Sequence, residues 1–211
     1  ETVMLHQSEG VDPVRYFLLR EVPFGQDGNY SHEAIVNRTN ADLANDLGNL
    51  AQRSLSMIAK NLGSRVPERG ELLAVDRALL AQADEALLAA RKAMAEQAIH
   101  TALAAVFFVV AEANRYFAGQ EPWALRKTDP TRMETVLYTT AETVRRIAIL
   151  CQPYIPDSAA KLLDLLAVGV DARQFEQVGD RHALVSGTAL PAPQPVFPRY
   201  VEQDKTGEKA S

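Results

Sequence analysis

The sequence predicts an all-α protein: an antiparallel helical bundle with a short N-terminal connecting segment and a C-terminal extended strap. Three observations lead there. Ala, Leu, Glu, Arg and Gln fill the middle of the 211-residue chain, and β-branched runs are scarce. Apolar residues recur at three- and four-residue spacing over long stretches, the period of a helix with one buried stripe. Helix start and stop residues separate those stretches.

Taken in order, VRYFLLREVPFG is aromatic, and periodicity leaves Arg15 to Glu21 undecided between a short helix and a strand. The FGQDG run, Phe24 to Gly28, is turn chemistry. Ser31 can cap a helix from Glu33 to Leu62, with Glu33 favourable in its first turn and Gly63 as its natural terminator. Its buried stripe is Leu43, Leu47, Leu50, Ala51, Ile58 and Leu62. Pro67 and Gly70 mark a loop. The helical stretch from Leu73 to Phe117 exceeds ordinary helix length and predicts two helices or one bent helix, with a break near Arg91 to Glu96. Gly119 and Pro122 end it. Asp129-Pro130 opens the next helix, to Cys151, with Pro130 at its first position. Pro153 and Pro156 precede a short helix from Asp157 to Ala167, and beyond Gly169 the pattern weakens into a proline-rich strap and a solvated tail.

Composition excludes several function classes. A net charge of −5 argues against a protein that coats nucleic acid nonspecifically, since that requires a broad basic field. It leaves open local reading of a few exposed bases. No apolar run reaches the ~18 residues a membrane span needs, so no membrane partner is expected. Cys151 is the one cysteine, in apolar surroundings, which fits a buried thiol in a reducing cytoplasm. The four histidines, His6, His32, His100 and His182, lie in separate segments without ligand spacing, so no metal site is expected. FGQDG lacks the pattern of a phosphate loop, and no residue order suggests a catalytic triad.

Two constellations stand out. On a helical wheel, Leu47, Ile58 and Leu62 point one way, and Arg38, Asn45, Asn49, Arg53 and Lys60 point roughly the other. Asn49 and Arg53 are neighbours at i, i+4. An amide beside a planar guanidinium suits base edges, and it equally suits a solvated face shared with Asp42 and Asp46. Trp123, the single tryptophan, follows Pro122 at a helix exit, where Pro122 is expected to deny the indole a helical neighbour. It reads either as a plug for the bundle end or as an exposed shelf for an unstacked base. Asn114 and Tyr116, on the preceding turn, are expected to fix that corner by hydrogen bonding and packing.

Several segments resemble one family. GVDPVRYFLLREVPFGQDGNYS (Gly10 to Ser31) resembles the segment of methionyl-tRNA synthetases that links the class I catalytic domain to the anticodon-binding helices. NDLGNLAQR (Asn45 to Arg53) resembles the first helix of that bundle, and NRYFAGQEPW (Asn114 to Trp123) its NRY…PW corner. PYIPDSAAKLLDLL (Pro153 to Leu166) and PVFPR (Pro195 to Arg199) resemble its later helix entry and terminal strap. The resemblance implies that Asn49, Arg53 and Trp123 contact the CAU anticodon, chiefly its cytosine, with Asn114, Tyr116 and Pro122 supporting the pocket. It implies three parts: a remnant of the connecting, stem-contacting segment at 1–30, the anticodon-binding bundle at 31–168, and a strap and tail at 169–211. It further implies a cytoplasmic, monomeric parent enzyme that ligates methionine to initiator and elongator methionine tRNA. ATP and Mg²⁺ would be used in a catalytic domain whose HIGH-like and KMSKS-like signatures these 211 residues do not contain. No cofactor is then expected on this chain, and no catalysis by it alone; its partners are the tRNA and the catalytic domain. A helical bundle that docks a protein, and the anticodon domain of another class I synthetase, remain the alternatives.

Overall fold

The computed structural model describes residues 10–21, 23, 25 and 31–200. The expected turn at Phe24 to Gly28, apart from Gly25, and the tail beyond 200 lie outside them.

Val11–Glu21 forms α1, which settles the helix-or-strand ambiguity in favour of helix. Val14 and Phe17 pack on Ile35 of the following helix, and Tyr16 enters the main core. The chain end of α1 also serves another element. Asp12 accepts from the Ser158 N–H at 2.6 Å, and Arg15 donates to the Pro153 and Tyr154 carbonyls. A carboxylate from a distant segment thus satisfies a donor in the first turn of the helix Pro156–Leu165.

Between residues 31 and 62 the expected single helix is corrected. Ser31 does cap, accepting from the Ala34 N–H at 3.1 Å, and Gly63 ends the run in the left-handed region at φ 60°. In between, α2 (His32–Arg38) passes into a π-helical segment, Thr39–Gly48, before α3 (Asn49–Leu62). Gly48 closes the segment in close quarters. A Cβ there would lie 2.9 Å from the Leu43 carbonyl and 3.3 Å from the Phe197 ring. The widened turn changes the angular step, so the 100° wheel fails across 39–48 and holds again from Asn49 onward.

α4 (Ala74–Ala95) and α5 (Ile99–Gln120) are the two helices expected from the long stretch. The break falls at 96–98, with Gln97 at φ 58°. After Glu121 come α6 (Pro122–Thr128), α7 (Pro130–Cys151) and α8 (Pro156–Leu165). Asp129 caps α7, accepting from the Arg132 N–H at 3.0 Å.

α7 runs through the middle of the bundle, buried from Thr135 to Cys151. Its hydroxyls turn inward on the helix: Thr139, Thr140 and Thr143 each donate to the carbonyl four residues back at 2.8 Å. Its charges are paired. Glu142 accepts from Arg145, Arg146 and the Leu184 N–H. Arg145 also reaches the carbonyls of Gln177 and Val178, and Arg146 reaches Asp84 and Asp180. The segment past Gly169, where apolar periodicity fades, is therefore fastened to α7 by charge and built from short 3₁₀ turns. From there the strap returns to the N-terminal side, where the Asn40 amide donates to the Tyr200 carbonyl and accepts from the Tyr200 N–H, both at 2.9 Å.

One expectation about membranes needs amending. Ile99–Thr128 contains an 18-residue window of mean hydropathy 1.2, enough by length and composition to cross a membrane. Its apolarity belongs to the bundle core, where Leu103, Val106, Val110, Ala113 and Phe117 are buried.

Candidate nucleic-acid interface

The corner between α5 and α6 is built by one residue in a costly backbone state. Glu121 adopts φ 45°, ψ 55°, a left-handed conformation that costs a non-glycine residue about 1–2 kcal/mol. Its carbonyl accepts from the N–H groups of Ala124 and Leu125, and Pro122 stands at the first helical position, where its missing N–H is harmless. Trp123 therefore sits in the first turn of α6, not in a loop beyond a helix. The expectation that Pro122 leaves the indole without a helical neighbour is also wrong. The Phe117 ring on α5 meets it edge-on, with centroids 6.0 Å apart.

Trp123 is 44% exposed, so it does not plug the bundle end. The Arg53 guanidinium lies 5.0 Å from the Phe117 centroid and 5.8 Å from that of Trp123. Two rings thus hold one cation at the surface, a cation–π arrangement worth ~0.5–1 kcal/mol per exposed contact. Asn49 is exposed one turn before Arg53 on α3. Residues separated by 70 positions in the chain, Arg53 and Trp123, are brought together; Asn49 joins them by its place on the Arg53 helix.

The supporting residues divide. The Asn114 amide donates to the Asp46 carbonyl at 3.2 Å and to the Val110 carbonyl at 3.1 Å, tying α5 to the π-helical segment just before Asn49. Pro122 is buried. Tyr116 points elsewhere, into the bundle. Its hydroxyl donates to Asp76 at 2.6 Å. Asp76 also takes both nitrogens of the Arg132 fork, at 2.5 and 2.7 Å, and the Leu73 N–H at 2.8 Å. Arg132 then reaches the Gln120 side chain at 2.6 Å, at the last residue of α5. Tyr116 supports the corner through this network and not by lining the surface.

Electrostatics follow from those contacts. Burial works to raise the Asp76 carboxyl, but the hydrogen bonds from Arg132, Tyr116 and Leu73 outweigh it and hold it below the ordinary carboxylate range. Burial, then the Asp76 bond, raises the Tyr116 phenol. Asp46 is pushed upward by burial and by its neighbour Asp42. The surface around Trp123 is thus served by fixed charges behind it and a free-facing cation in front.

Two participants escaped sequence reading. Phe117 falls on the ordinary apolar pattern of α5, and nothing local marks its ring as a platform. The Asp76–Arg132 pair spans 56 positions and has no motif; the nearest signal was the NRY triplet itself.

Comparison with known families bears on this geometry. Residues 66–210 match the model for the anticodon binding domain of methionyl tRNA ligase. The chain belongs to that family. Residues 2–55 match the model for class I tRNA synthetases of the methionine type, so Asn49 and Arg53 fall under one model and Trp123 under the other. The methionine-tRNA ligase of Mesorhizobium japonicum is 75% identical over 194 residues, covering 92% of this chain and 38% of that protein. That of Brucella suis is 71% identical over 196 residues, covering 93% and 38%. The free-state crystal structure of Mycobacterium tuberculosis methionyl-tRNA synthetase superposes with a TM-score of 0.92 at 55% identity, covering 96% of this chain and 41% of that one. The same enzyme in complex with methionyl-adenylate gives 0.90, covering 94% and 40%. The chain therefore spans about two-fifths of the length of these relatives.

Proposed function

We propose that this chain recognises the CAU anticodon of methionine tRNA as the anticodon-binding part of a methionyl-tRNA synthetase. The observation that carries the reading is the half-exposed indole of Trp123 beside the guanidinium of Arg53, on the helix that presents Asn49. An unpaired loop base stacks on the indole face while the amide and the guanidinium engage its edge. Asn114 and Pro122 hold the two sides in register, and Tyr116 secures α5 from behind.

The parent protein ligates methionine to initiator and elongator methionine tRNA, working as a cytoplasmic monomer. ATP and Mg²⁺ act in its catalytic domain, outside the bundle described above. The contribution of this chain is discrimination, with about 1–3 kcal/mol available per mismatched base.

Trp123→Ala tests the reading. Because the side chain is half-exposed and stands at the surface, far-UV circular dichroism stays close to that of the parent sequence. Affinity for an anticodon stem-loop bearing CAU falls roughly 5- to 150-fold, the loss of one stacked base at ~1–3 kcal/mol. Unchanged binding, or a collapse of the helical signal, overturns it.

A further inference from the structure

Half of the 22 lysines and arginines of this acidic chain are committed to a carboxylate or a backbone carbonyl. Arg38, Arg69, Arg91, Arg115, Arg132, Arg145, Arg146 and Arg173 pair with carboxylates. Arg15, Arg65 and Arg77 donate to backbone carbonyls. Beside Trp123 the situation differs. Arg53, Lys60, Arg126 and Lys127 are all exposed, and among the described residues none of them pairs with a carboxylate.

These four are placed together by two crossings. On α3, Asn49, Arg53, Ser56 and Lys60 fall within ~60° of one another at 100° per residue, a stripe about 16 Å long at 1.5 Å per residue. On α6, Trp123, Arg126 and Lys127 fall within ~100°. Arg53 approaches Trp123, and one helical stretch later Arg126 donates to the Asn61 side chain at 3.4 Å. The two contacts follow the same order along α3 and α6, and Arg126 reaches the residue that follows Lys60 in the chain. Toward the other end of the α3 stripe stands the exposed carboxylate Asp46, while Asp42 is taken up by the Tyr16 hydroxyl and Arg38. Glu121 and Asp129 flank α6, and Asp129 is occupied in capping α7.

We infer that Lys60, Arg126 and Lys127 form a track for the sugar–phosphate backbone of RNA, leading away from the Asn49/Arg53/Trp123 pocket. This rests on the function proposed above and extends it from the base to the strand. The track gives the strand a direction. The backbone leaves the pocket along the cations toward the C-terminal end of α3, because the opposite exit passes Asp46, an exposed carboxylate. A phosphate track carries no base information, so it adds affinity equally to matched and mismatched loops.

The experiment measures the affinity of the 211-residue chain for stem-loops bearing CAU and a mismatched anticodon, across a range of salt concentrations. The variants are Lys60→Gln, Arg126→Gln, Lys127→Gln and the triple combination, with Lys127→Arg as the conservative control. Each lost cation lowers the slope of log affinity against log salt by roughly 0.7–1, so the triple variant loses about 2 to 3. The ratio of CAU to mismatched affinity stays unchanged, melting temperatures stay level, and Lys127→Arg retains the slope. A slope equal to the parent's in the triple variant overturns the track, as does a changed CAU ratio, which would make these residues base readers. Equal affinity of the unsubstituted chain for both loops would sink the base pocket instead and leave the slopes readable. No RNA binding at all overturns both.

Discussion

Asp76→Asn is the sharpest perturbation of the architecture behind Trp123. The carboxylate is fully buried, 0% exposed, and receives four hydrogen bonds: two from the Arg132 fork, one from Tyr116 and one from the Leu73 N–H. An amide has nearly the same shape but one acceptor oxygen in place of two, and its NH₂ opposes the guanidinium. Breaking a buried pair costs about 3–5 kcal/mol; Arg132 keeps 13% of its side chain exposed and can partly rehydrate, so the lower end, ~3 kcal/mol, applies. For a chain of this size that lowers the melting temperature by roughly 6–12 °C. Because Arg132 also holds Gln120, the α5–α6 corner loosens, and the emission of the single tryptophan reports it directly. The pH dependence has a definite sign. Asp76 is held below the ordinary carboxylate value, so its contribution is present above about pH 4 and is lost as pH falls through its lower folded value. The stability gap between parent and variant therefore narrows on acidification. A variant within ~1 kcal/mol of the parent at neutral pH, or a gap that widens in acid, refutes the reasoning.

Two further outcomes are expected. Glu142→Gln removes a buried carboxylate shared by Arg145, Arg146 and the Leu184 N–H, at a cost of about 3–5 kcal/mol; hydrogen exchange then accelerates first in 177–184, which these arginines fasten to α7. The Cys151 thiol is fully buried and pushed up to about 12 by desolvation, so a thiol reagent at neutral pH modifies it only at the rate of unfolding; fast labelling of the native chain contradicts its placement.

Much of the fold was legible because its signals are local. Ser31, Gly63 and the Asp129-Pro130 pair act within a turn of their own positions, and each does in space what its chemistry indicates. The π-helical segment was illegible for the opposite reason. Its last residue, Gly48, lies against Phe197, a neighbour 149 residues away, and no local pattern encodes that approach. The same distinction divides the candidate site. The i, i+4 relation of Asn49 and Arg53 follows from helix geometry alone. The nearness of Arg53 to Trp123 requires Glu121 to turn left-handed, Phe117 to stand between the helices, and Arg132 to hold Gln120. A tryptophan after a proline states only that a helix can begin there.

The distribution of rigidity bears on the proposed function, because it would let this surface read by preorganised geometry. Three separate ties converge on it without touching its outer face: Asn114 to the Asp46 carbonyl, Arg132 to Gln120, and the strap residues Phe197 and Tyr200 on the π-helical segment. Asp46 and Gly48 lie within three residues of Asn49, Gln120 lies three before Trp123, and the ties come from different parts of the chain. If the recognition groups were instead ordered by RNA itself, their ordering entropy would be subtracted from every contact, about 0.5–1.5 kcal/mol per long side chain. Arginine stands to lose most. Stacking Arg53 against Phe117 and Trp123 before any ligand arrives removes much of that cost, and under the proposed function the buried Phe117 contributes by holding that cation in place.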